Sequence, residues 1–266
     1  MVSDTNIPIL SVVIPAFNEA DRISVSIQDI NEVLVPIYGD AWELLVVDDG
    51  SVDSTADVVR TLSETIPCLK VISHERNLGK GAAVRSGVLA TAGSLILCAD
   101  ADGATPFREY YRLLTVLKPD VQIAVGARQK HSGNKVRRTL GRAILGRVFR
   151  GLVHVLLHPG VKDTQCGFKL FRGEVGRQLF RQSTENGFLF DLEILGLASR
   201  KNLVVQEVPV DWNEVPGSKV RCLRDSWRMV LGLFRIRRAF NRTEAHCSAV
   251  GYEDVSTLAP GRIMDV

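Results

Sequence analysis

SLILCADADGAT, residues 94–105, is a short apolar run that ends in two aspartates one residue apart. Leu95 to Cys98 reads as a buried strand, and Gly103, Ala104 and Thr105 form a small-residue turn beyond it. Carboxylates at i and i+2 on such a turn can point into one cleft. A hard divalent cation there, Mg2+ or Mn2+, would bridge a diphosphate, because Mg2+ takes one or two carboxylates and completes its shell with substrate oxygens. Asp100 and Asp102 are therefore the metal candidates. In isolation the pair also reads as a solvated Asp-rich turn, so its meaning depends on its surroundings.

Those surroundings repeat one pattern. Ile9 to Ile14 is a β-branched apolar run ending at Pro15, and Leu44 to Val47 and Leu69 to Ile72 read as two further buried strands. Helical spacing fills the gaps. Glu19 to Val35 carries Ile23, Ile27, Ile30 and Leu34 on one face and closes at Pro36 and Gly39. Asp53 is placed to cap a helix through Leu62, and Lys80 to Ala90 forms another. Downstream, a helix over 107–117 and a strand over 121–125 follow. Apolar strands alternating with amphipathic helices predict an α/β fold, a mostly parallel sheet with helices on both faces. Ligands of such sheets gather at the carboxyl ends of the strands. Phe17-Asn18-Glu19, Asp48-Asp49 and Asp100/Asp102 all follow strand ends, so the pattern predicts one shared cleft. A carboxylate at Asp48 or Asp49 can accept from a base imide or a ribose hydroxyl; the other reading is a turn followed by a helix cap.

The second half is less regular. Residues 136–157 alternate Arg with apolar residues, as a basic amphipathic helix would, and Arg221 to Phe240 reads the same way. Between them, 161–215 holds a predicted helix at 188–199 and a strand at 203–210. The tail from Thr243 is polar and aperiodic. With no internal repeat and no long linker, residues 1–242 read as one domain, a first half at about 8–127 and a second at about 128–242, with 243–266 as a tail.

Charge separates these halves. From Val121 to Lys162 there are nine Lys or Arg and no acid, and from Lys219 to Arg242 eight basic residues face Asp225 alone. The formal net charge is only +3, so the rest of the chain is strongly acidic. Such asymmetry points to an anionic partner: a phosphorylated ligand, an acidic membrane surface or nucleic acid. Nucleic acid is the weakest of these, since Phe149 is the only aromatic between Arg128 and Arg150 and stacking platforms are lacking. Five scattered cysteines without CxxC spacing argue against a disulfide framework or a zinc site, and fit reduced thiols. No signal segment or bilayer-length apolar run is present, so attachment to a membrane would be peripheral.

NLGKG, residues 77–81, invites a phosphate-loop reading that the spacing rejects. His74 stands where the first Gly of GxxxxGK[ST] belongs, Gly81 follows the Lys, and Val84 takes the last Gly position of GxGxxG. Lys80 and Arg85 stay open as ligand contacts or as a solvated helix start.

Taken together, Pro15-Ala16-Phe17-Asn18-Glu19, VVDDGSVDST (46–55), NLGKGAAVRSG (77–87) and DADGAT (100–105) resemble glycosyltransferase family 2, inverting enzymes with a GT-A fold. DTQCGFK (163–169) and VPVDWNEVPGSKV (208–220) are similar to its dolichyl-phosphate β-glucosyltransferase branch. The resemblance implies a nucleotide-sugar site formed by Pro15, Phe17, Asn18, Glu19, Asp48, Asp49, Asn77, Lys80, Asp100 and Ala101, with metal at Asp100 and Asp102. It implies an acceptor-phosphate site at Arg128, Arg137, Arg138 and Lys219, with Asp102, Arg128 and Asp163 as the catalytic set. Asp191 and Glu193 either line the cleft or belong to the core. The turn Asp102-Gly103-Ala104-Thr105 departs from the DADLQHPP of mannose synthases, which favours a UDP-sugar over GDP-mannose. Branch members usually begin with a membrane anchor, whereas this chain starts almost at its first strand.

The implied reaction is inverting, metal-dependent transfer of a hexose, glucose from UDP-glucose, to a dolichyl or polyprenyl monophosphate, a step of protein glycosylation. Its location would be the cytoplasmic side of a membrane: endoplasmic reticulum in a eukaryote, plasma membrane in a prokaryote. A lipid monophosphate has a second pKa of about 6 and is already ionised at neutral pH, so no strong general base is needed. Two alternatives keep the family, mannose from GDP-mannose and a glycan acceptor. A third, a basic nucleic-acid-binding protein, abandons it.

Overall fold

The computed structural model describes residues 7–130, 151–213 and 230–241. Seven strands form one sheet: β1 (Leu10–Ala16), β2 (Trp42–Asp48), β3 (Leu69–Ser73), β4 (Leu95–Cys98), β5 (Ile123–Lys130), β6 (Lys169–Arg172) and β7 (Val205–Trp212). Their spatial order is β3-β2-β1-β4-β6-β5-β7. β3, β2, β1 and β4 run parallel, β6 is antiparallel to both β4 and β5, and β5 pairs in parallel with β7. Six strands thus share one direction. Pro209 is accommodated because β7 is the edge strand, where a missing N–H breaks no ladder.

Alternating side chains on the strands build two apolar layers, as the period of two requires. Val12, Ile14, Leu97, Ala124 and Leu170 face α1 (Ile23–Tyr38), α2 (Thr55–Ser63) and α4 (Tyr110–Val116). Val13, Ile96, Ile123, Val125 and Phe171 face α3 (Lys80–Ala90), α6 (Gly173–Gln182) and α7 (Phe190–Arg200). Both faces of the sheet are covered, as the apolar strands predicted. A third cluster, with Val153, Leu157, Leu192, Leu233 and Phe240, joins α7 to the helices described over 151–157 (α5) and 230–241 (α8).

Several boundaries moved. Helix α1 carries Pro36 inside its last turn and ends at Tyr38, with Gly39 at φ +55° donating back to the Val35 carbonyl. Asp53 lies one residue before the cap position, yet its Oδ1 accepts from the Thr55 N–H at 3.0 Å. Strand β5 runs five residues past the predicted end, because β7 pairs with it as far as Lys130. The sequence reading left β6 and α6 without assignment. Of the helices predicted over 136–157 and 221–240, the described parts at 151–157 and 230–240 are helical, and the rest lies outside the described residues, as does the tail from Thr243. Among the described residues, no helix is long and apolar enough to cross a membrane.

The strand order reverses between β1 and β4, since β2 lies on one side of β1 and β4 on the other. In an open α/β sheet that switch point is where a crevice forms. The turns after β1, β2 and β4 all lie along its rim.

Candidate active site

The turns after β1 and β2 are stitched to each other. Asn18 adopts a left-handed φ of +53°, which Asn tolerates better than most residues. Its backbone N–H donates to Ser51 Oγ at 2.9 Å, and its Oδ1 accepts from the Val52 N–H at 2.9 Å. Glu19 N–H donates to Thr55 Oγ1 at 2.8 Å, and Glu19 holds Arg22 in an ion pair. Main-chain donors of the first turn are thus satisfied by side chains of the second.

Asp48 and Asp49 diverge. Asp49 is 2 % exposed; its Oδ1 accepts from the Leu78 N–H at 3.0 Å and contacts His74 Nδ1 at 2.7 Å, and its Oδ2 accepts from the Gly79 N–H at 2.8 Å. His74 Nε2 then meets Ser86 Oγ of α3 at 3.0 Å. The sequence reading put Asp49 at the nucleotide. In the fold both its oxygens hold the loop 74–79, so it shapes the start of α3. Asp48 accepts only from the Ser51 N–H, through Oδ1 at 3.1 Å, and its Oδ2 has no partner among the described residues. Gly50 is obligatory: φ is +69°, and a Cβ would stand 2.4 Å from the Arg76 carbonyl carbon.

At the end of β4, Lys80 reaches across from the first turn of α3 and donates to Asp100 Oδ1 at 2.6 Å. Burial alone would raise the Asp100 carboxyl, but the Lys80 ammonium more than reverses this and holds it below the ordinary range. Burial likewise opposes the Lys80 charge, and Asp100, Asp191 and Asp102 together override it. Asp102 differs from its neighbour. Its Oδ1 accepts from the Ala104 N–H at 3.0 Å, and it forms no ion pair among the described residues. Burial, aided by the charge of Asp100, pushes its pKa up. A part-buried carboxylate with no cation of its own, beside a second carboxylate, is a donor set suited to a hard divalent ion. Ala101 between them is buried, and its carbonyl accepts from Ser26 Oγ.

Across β6, Arg128 on β5 meets Asp163. Its Nε donates to Oδ2 at 2.8 Å, its Nη2 to Oδ1 at 2.7 Å, and its backbone N–H to Oδ2 at 3.0 Å. Those bonds raise Arg128 and, against burial, lower Asp163. Glu207 of β7 fixes the loop from behind, its Oε1 accepting from the Lys162 and Asp163 N–H groups at 3.0 and 2.7 Å. Trp212, at the end of β7, lies with its ring centroid 5.8 Å from the Arg128 guanidinium carbon. The neighbouring Asn213 N–H donates to the Ala104 carbonyl at 2.8 Å, tying β7 to the aspartate turn.

An acidic turn and an arginine held by a carboxylate thus lie along one rim of a mostly parallel sheet. The family model for glycosyl transferase family 2 matches residues 11–180. This chain belongs to glycosyltransferase family 2. A dolichyl-phosphate beta-glucosyltransferase of Saccharomyces cerevisiae is 36 % identical over 249 residues, covering 87 % of this chain and 75 % of that protein. Proteins of the same name from Dictyostelium discoideum and Homo sapiens are 37 % and 35 % identical, covering 86 % and 79 % of this chain and 73 % and 69 % of theirs. In fold, the chain is similar to glucosyl-3-phosphoglycerate synthase of Mycobacterium tuberculosis in complex with UDP, with TM-score 0.65, 20 % identity and coverage of 86 % and 80 %. It is also similar to a mannosyltransferase of Pyrobaculum calidifontis in complex with GDP-Man and Mn2+, with TM-score 0.58, 20 % identity and coverage of 93 % and 65 %. The architecture is of GT-A type.

For this family 2 glycosyltransferase, other expected site residues fall as follows. Pro15 is the partly exposed penultimate residue of β1, Phe17 opens the following turn, and Asn77 is exposed on the loop before α3. Arg137, Arg138 and Lys219 lie outside the described residues. Glu193 belongs to the core: 2 % exposed, it accepts from the Thr184 and Glu185 N–H groups and from Thr184 Oγ1 at 2.8–3.0 Å. Sequence reasoning missed His74, Gly167, Glu207 and Trp212 as parts of the site. Trp212 and Gly167 carried a signal, standing within the VPVDWNEVPGSKV and DTQCGFK segments; His74 and Glu207 work through partners distant in sequence.

Proposed function

We propose that this protein transfers glucose from UDP-glucose to a dolichyl or polyprenyl monophosphate with inversion, at the cytoplasmic face of a membrane. The observation that carries the reading is the pairing, along one rim, of the Asp100/Asp102 turn with the Arg128–Asp163 cage. One end is built for a cation and a diphosphate, the other for a phosphate monoanion or dianion.

The turn Pro15–Glu19, Asp48 and Asn77 would receive the nucleoside, with Asp49 holding the loop that carries Asn77. Mg2+ or Mn2+, held by Asp102 and Asp100, would neutralise charge on the departing nucleoside diphosphate as a Lewis acid. Lys80 offers the same diphosphate its ammonium. On the acceptor side, Arg128 presents a planar fork suited to two phosphate oxygens, joined by Arg137 or Arg138 and by Lys219. Asp163 orients that fork. The acceptor oxygen arrives charged, so these residues have to position it and screen it from the donor diphosphate rather than deprotonate it. The division at about residue 127 follows: 8–127 serves the donor and 128–242 the acceptor.

Peripheral membrane contact fits α8, whose exposed face carries Leu231 and Phe234, each about half exposed, followed by Arg235 and Arg238. Apolar insertion beside basic residues is the pattern of an interfacial helix. Co-sedimentation with phosphatidylcholine vesicles, with and without anionic lipid, tests this: the anionic vesicles should bind, and Leu231→Gln with Phe234→Gln should release the protein.

The activity itself is tested by incubating the protein with UDP-[14C]glucose, a polyprenyl phosphate and either metal. Label should enter the organic phase and depend on Asp102. A panel including GDP-mannose should leave UDP-glucose the best donor, and water-soluble product without lipid phosphate would instead indicate a glycan acceptor.

A further inference from the structure

Beneath the site lies a buried ion pair that the roles above do not use. Lys169 on β6 and Asp191 in the first turn of α7 are 2 % and 5 % exposed. Lys169 Nζ donates to Asp191 Oδ1 at 2.5 Å and also to the Cys166 carbonyl. An ammonium has three hydrogens and no lone pair, so this lysine ties two pieces of chain to one point. One piece is α7. The other is Cys166-Gly167.

Gly167 is the floor under Asp100. A Cβ at Gly167 would stand 2.4 Å from Asp100 Oδ2, 2.5 Å from Oδ1 and 2.6 Å from Cγ, closer than atoms can approach. From the other side, Lys80 grips the same carboxylate at 2.6 Å. Asp100 therefore lies between a glycine that leaves it just enough room and a lysine that orients it.

A buried ion pair is poor evidence for stability, because desolvation offsets much of the Coulomb attraction and an apolar pair of similar volume packs as well. What an apolar pair cannot do is hold the Cys166 carbonyl. We propose that Lys169 and Asp191 are positioning residues for the donor end of the cleft: they fix Cys166-Gly167 so that Asp100 keeps the orientation in which it meets Lys80 and a divalent cation. The proposal rests on the reading of Asp100 as a donor-side ligand.

Four variants test it: Lys169→Met alone, Lys169→Met with Asp191→Leu, Gly167→Ala and Asp100→Asn. Thermal melting reports the fold, and titration calorimetry reports UDP binding with Mn2+ and with EDTA. The lone Lys169→Met strands a buried carboxylate and should melt well below wild type, whereas the apolar double variant should regain most of the loss. Even so, the double variant should weaken Mn2+-dependent UDP binding about tenfold, the usual scale for disturbing a group that orients a metal ligand. Gly167→Ala, which keeps every charge, should weaken binding similarly. In both, the donor KM rises while the acceptor KM stays as in wild type.

If the folded double variant binds UDP and Mn2+ like wild type, the pair is core packing only and the proposal is overturned. Should that variant not fold, Gly167→Ala decides alone, and unchanged binding there overturns the proposal equally. If instead Asp100→Asn leaves Mn2+-dependent binding intact, the reading of Asp100 falls, and the positioning proposal falls with it.

Discussion

Asp163 closes on Arg128 from three directions, meeting Nε, Nη2 and the backbone N–H, while the Trp212 ring lies 5.8 Å from the same guanidinium carbon. The carboxylate holds the Nε–Nη2 edge of the guanidinium. On the proposed reading it stays there, and the acceptor phosphate meets the Nη1 side of an arginine already in place.

Arg128→Lys keeps the charge and loses the fork. Charge-assisted hydrogen bonds contribute about 1.5–3 kcal/mol each, so the acceptor KM should rise about 10- to 100-fold. Trp212→Leu removes a cation–π contact of about 0.5–1 kcal/mol and should raise it only about 2- to 5-fold. Steady-state kinetics at saturating donor gives both. An inverted ranking, or a change confined to the donor KM, would count against the acceptor assignment.

Asp102→Asn should make the metal-free protein more stable. Its folded pKa is raised by burial, so the neutral form is favoured in the fold and the charged form at neutral pH is a cost. The sign is therefore opposite to that of a structural carboxylate. Thermal melting in EDTA should place the variant at or above wild type, and added Mn2+ with UDP should raise wild type alone. A variant that melts lower in EDTA contradicts this account.

Asp163 and Asp100 behave in the opposite sense. Both are held below the ordinary Asp value of 3.8, so each binds protons less readily in the fold than in the unfolded chain. Their contribution is present above that value and is lost as pH falls through the lower folded one. The melting difference between wild type and Asp163→Asn should be largest near neutral pH and shrink as the pH falls below the ordinary Asp value of 3.8. A gap that stays constant through the acid range would show that the Arg128 contact adds nothing by charge.

Glu193→Ala frees the 184–187 loop, which lies against the start of α3 and accepts there from the Ala82 N–H through the Asn186 carbonyl. Leaving buried donors without an acceptor costs about 1–3 kcal/mol. Chemical denaturation should register a loss of that size, and hydrogen exchange should quicken at the Thr184 and Glu185 amides. Because a Cβ at Gly79 or Gly81 would come within 2.4 Å of this loop, the donor KM should rise as well.

The sequence was most legible where local signals agree. Lys80–Ala90 and Leu95–Cys98 were located to the residue, because glycines and polar turns bracket both. β6 and α6 escaped for physical reasons. The strand is four residues long and begins with a lysine that hydropathy sends to the surface, although Asp191 and the Cys166 carbonyl keep it inside. α6 carries Gly173 and Gly176, which lower helix propensity; their value is close packing, since a Cβ at Gly173 would meet the Gly93 carbonyl oxygen at 2.2 Å. The strand-end aspartates were visible as a set. That Asp49 serves a loop while Asp48 Oδ2 has no partner among the described residues was not, because the difference is made by the His74 ring and the Leu78 and Gly79 N–H groups.

The antiparallel β6 has a consequence for how the molecule comes into being. It lies between β4 and β5, yet it is synthesised after both. A nascent chain that ends at residue 130 has its acidic turn and its arginine strand but lacks the strand that pairs with both β4 and β5, and β4 stands with one ladder edge bare. Such edges invite pairing with other chains. The hydrogen-bonded ladder between the two sides of the cleft closes when Lys169–Arg172 slots in, a contact that spans more than about seventy residues back to β4 and is of the long-range kind that slows folding. The sheet that carries both sides of the cleft is therefore continuous only through a four-residue strand made after its two neighbours.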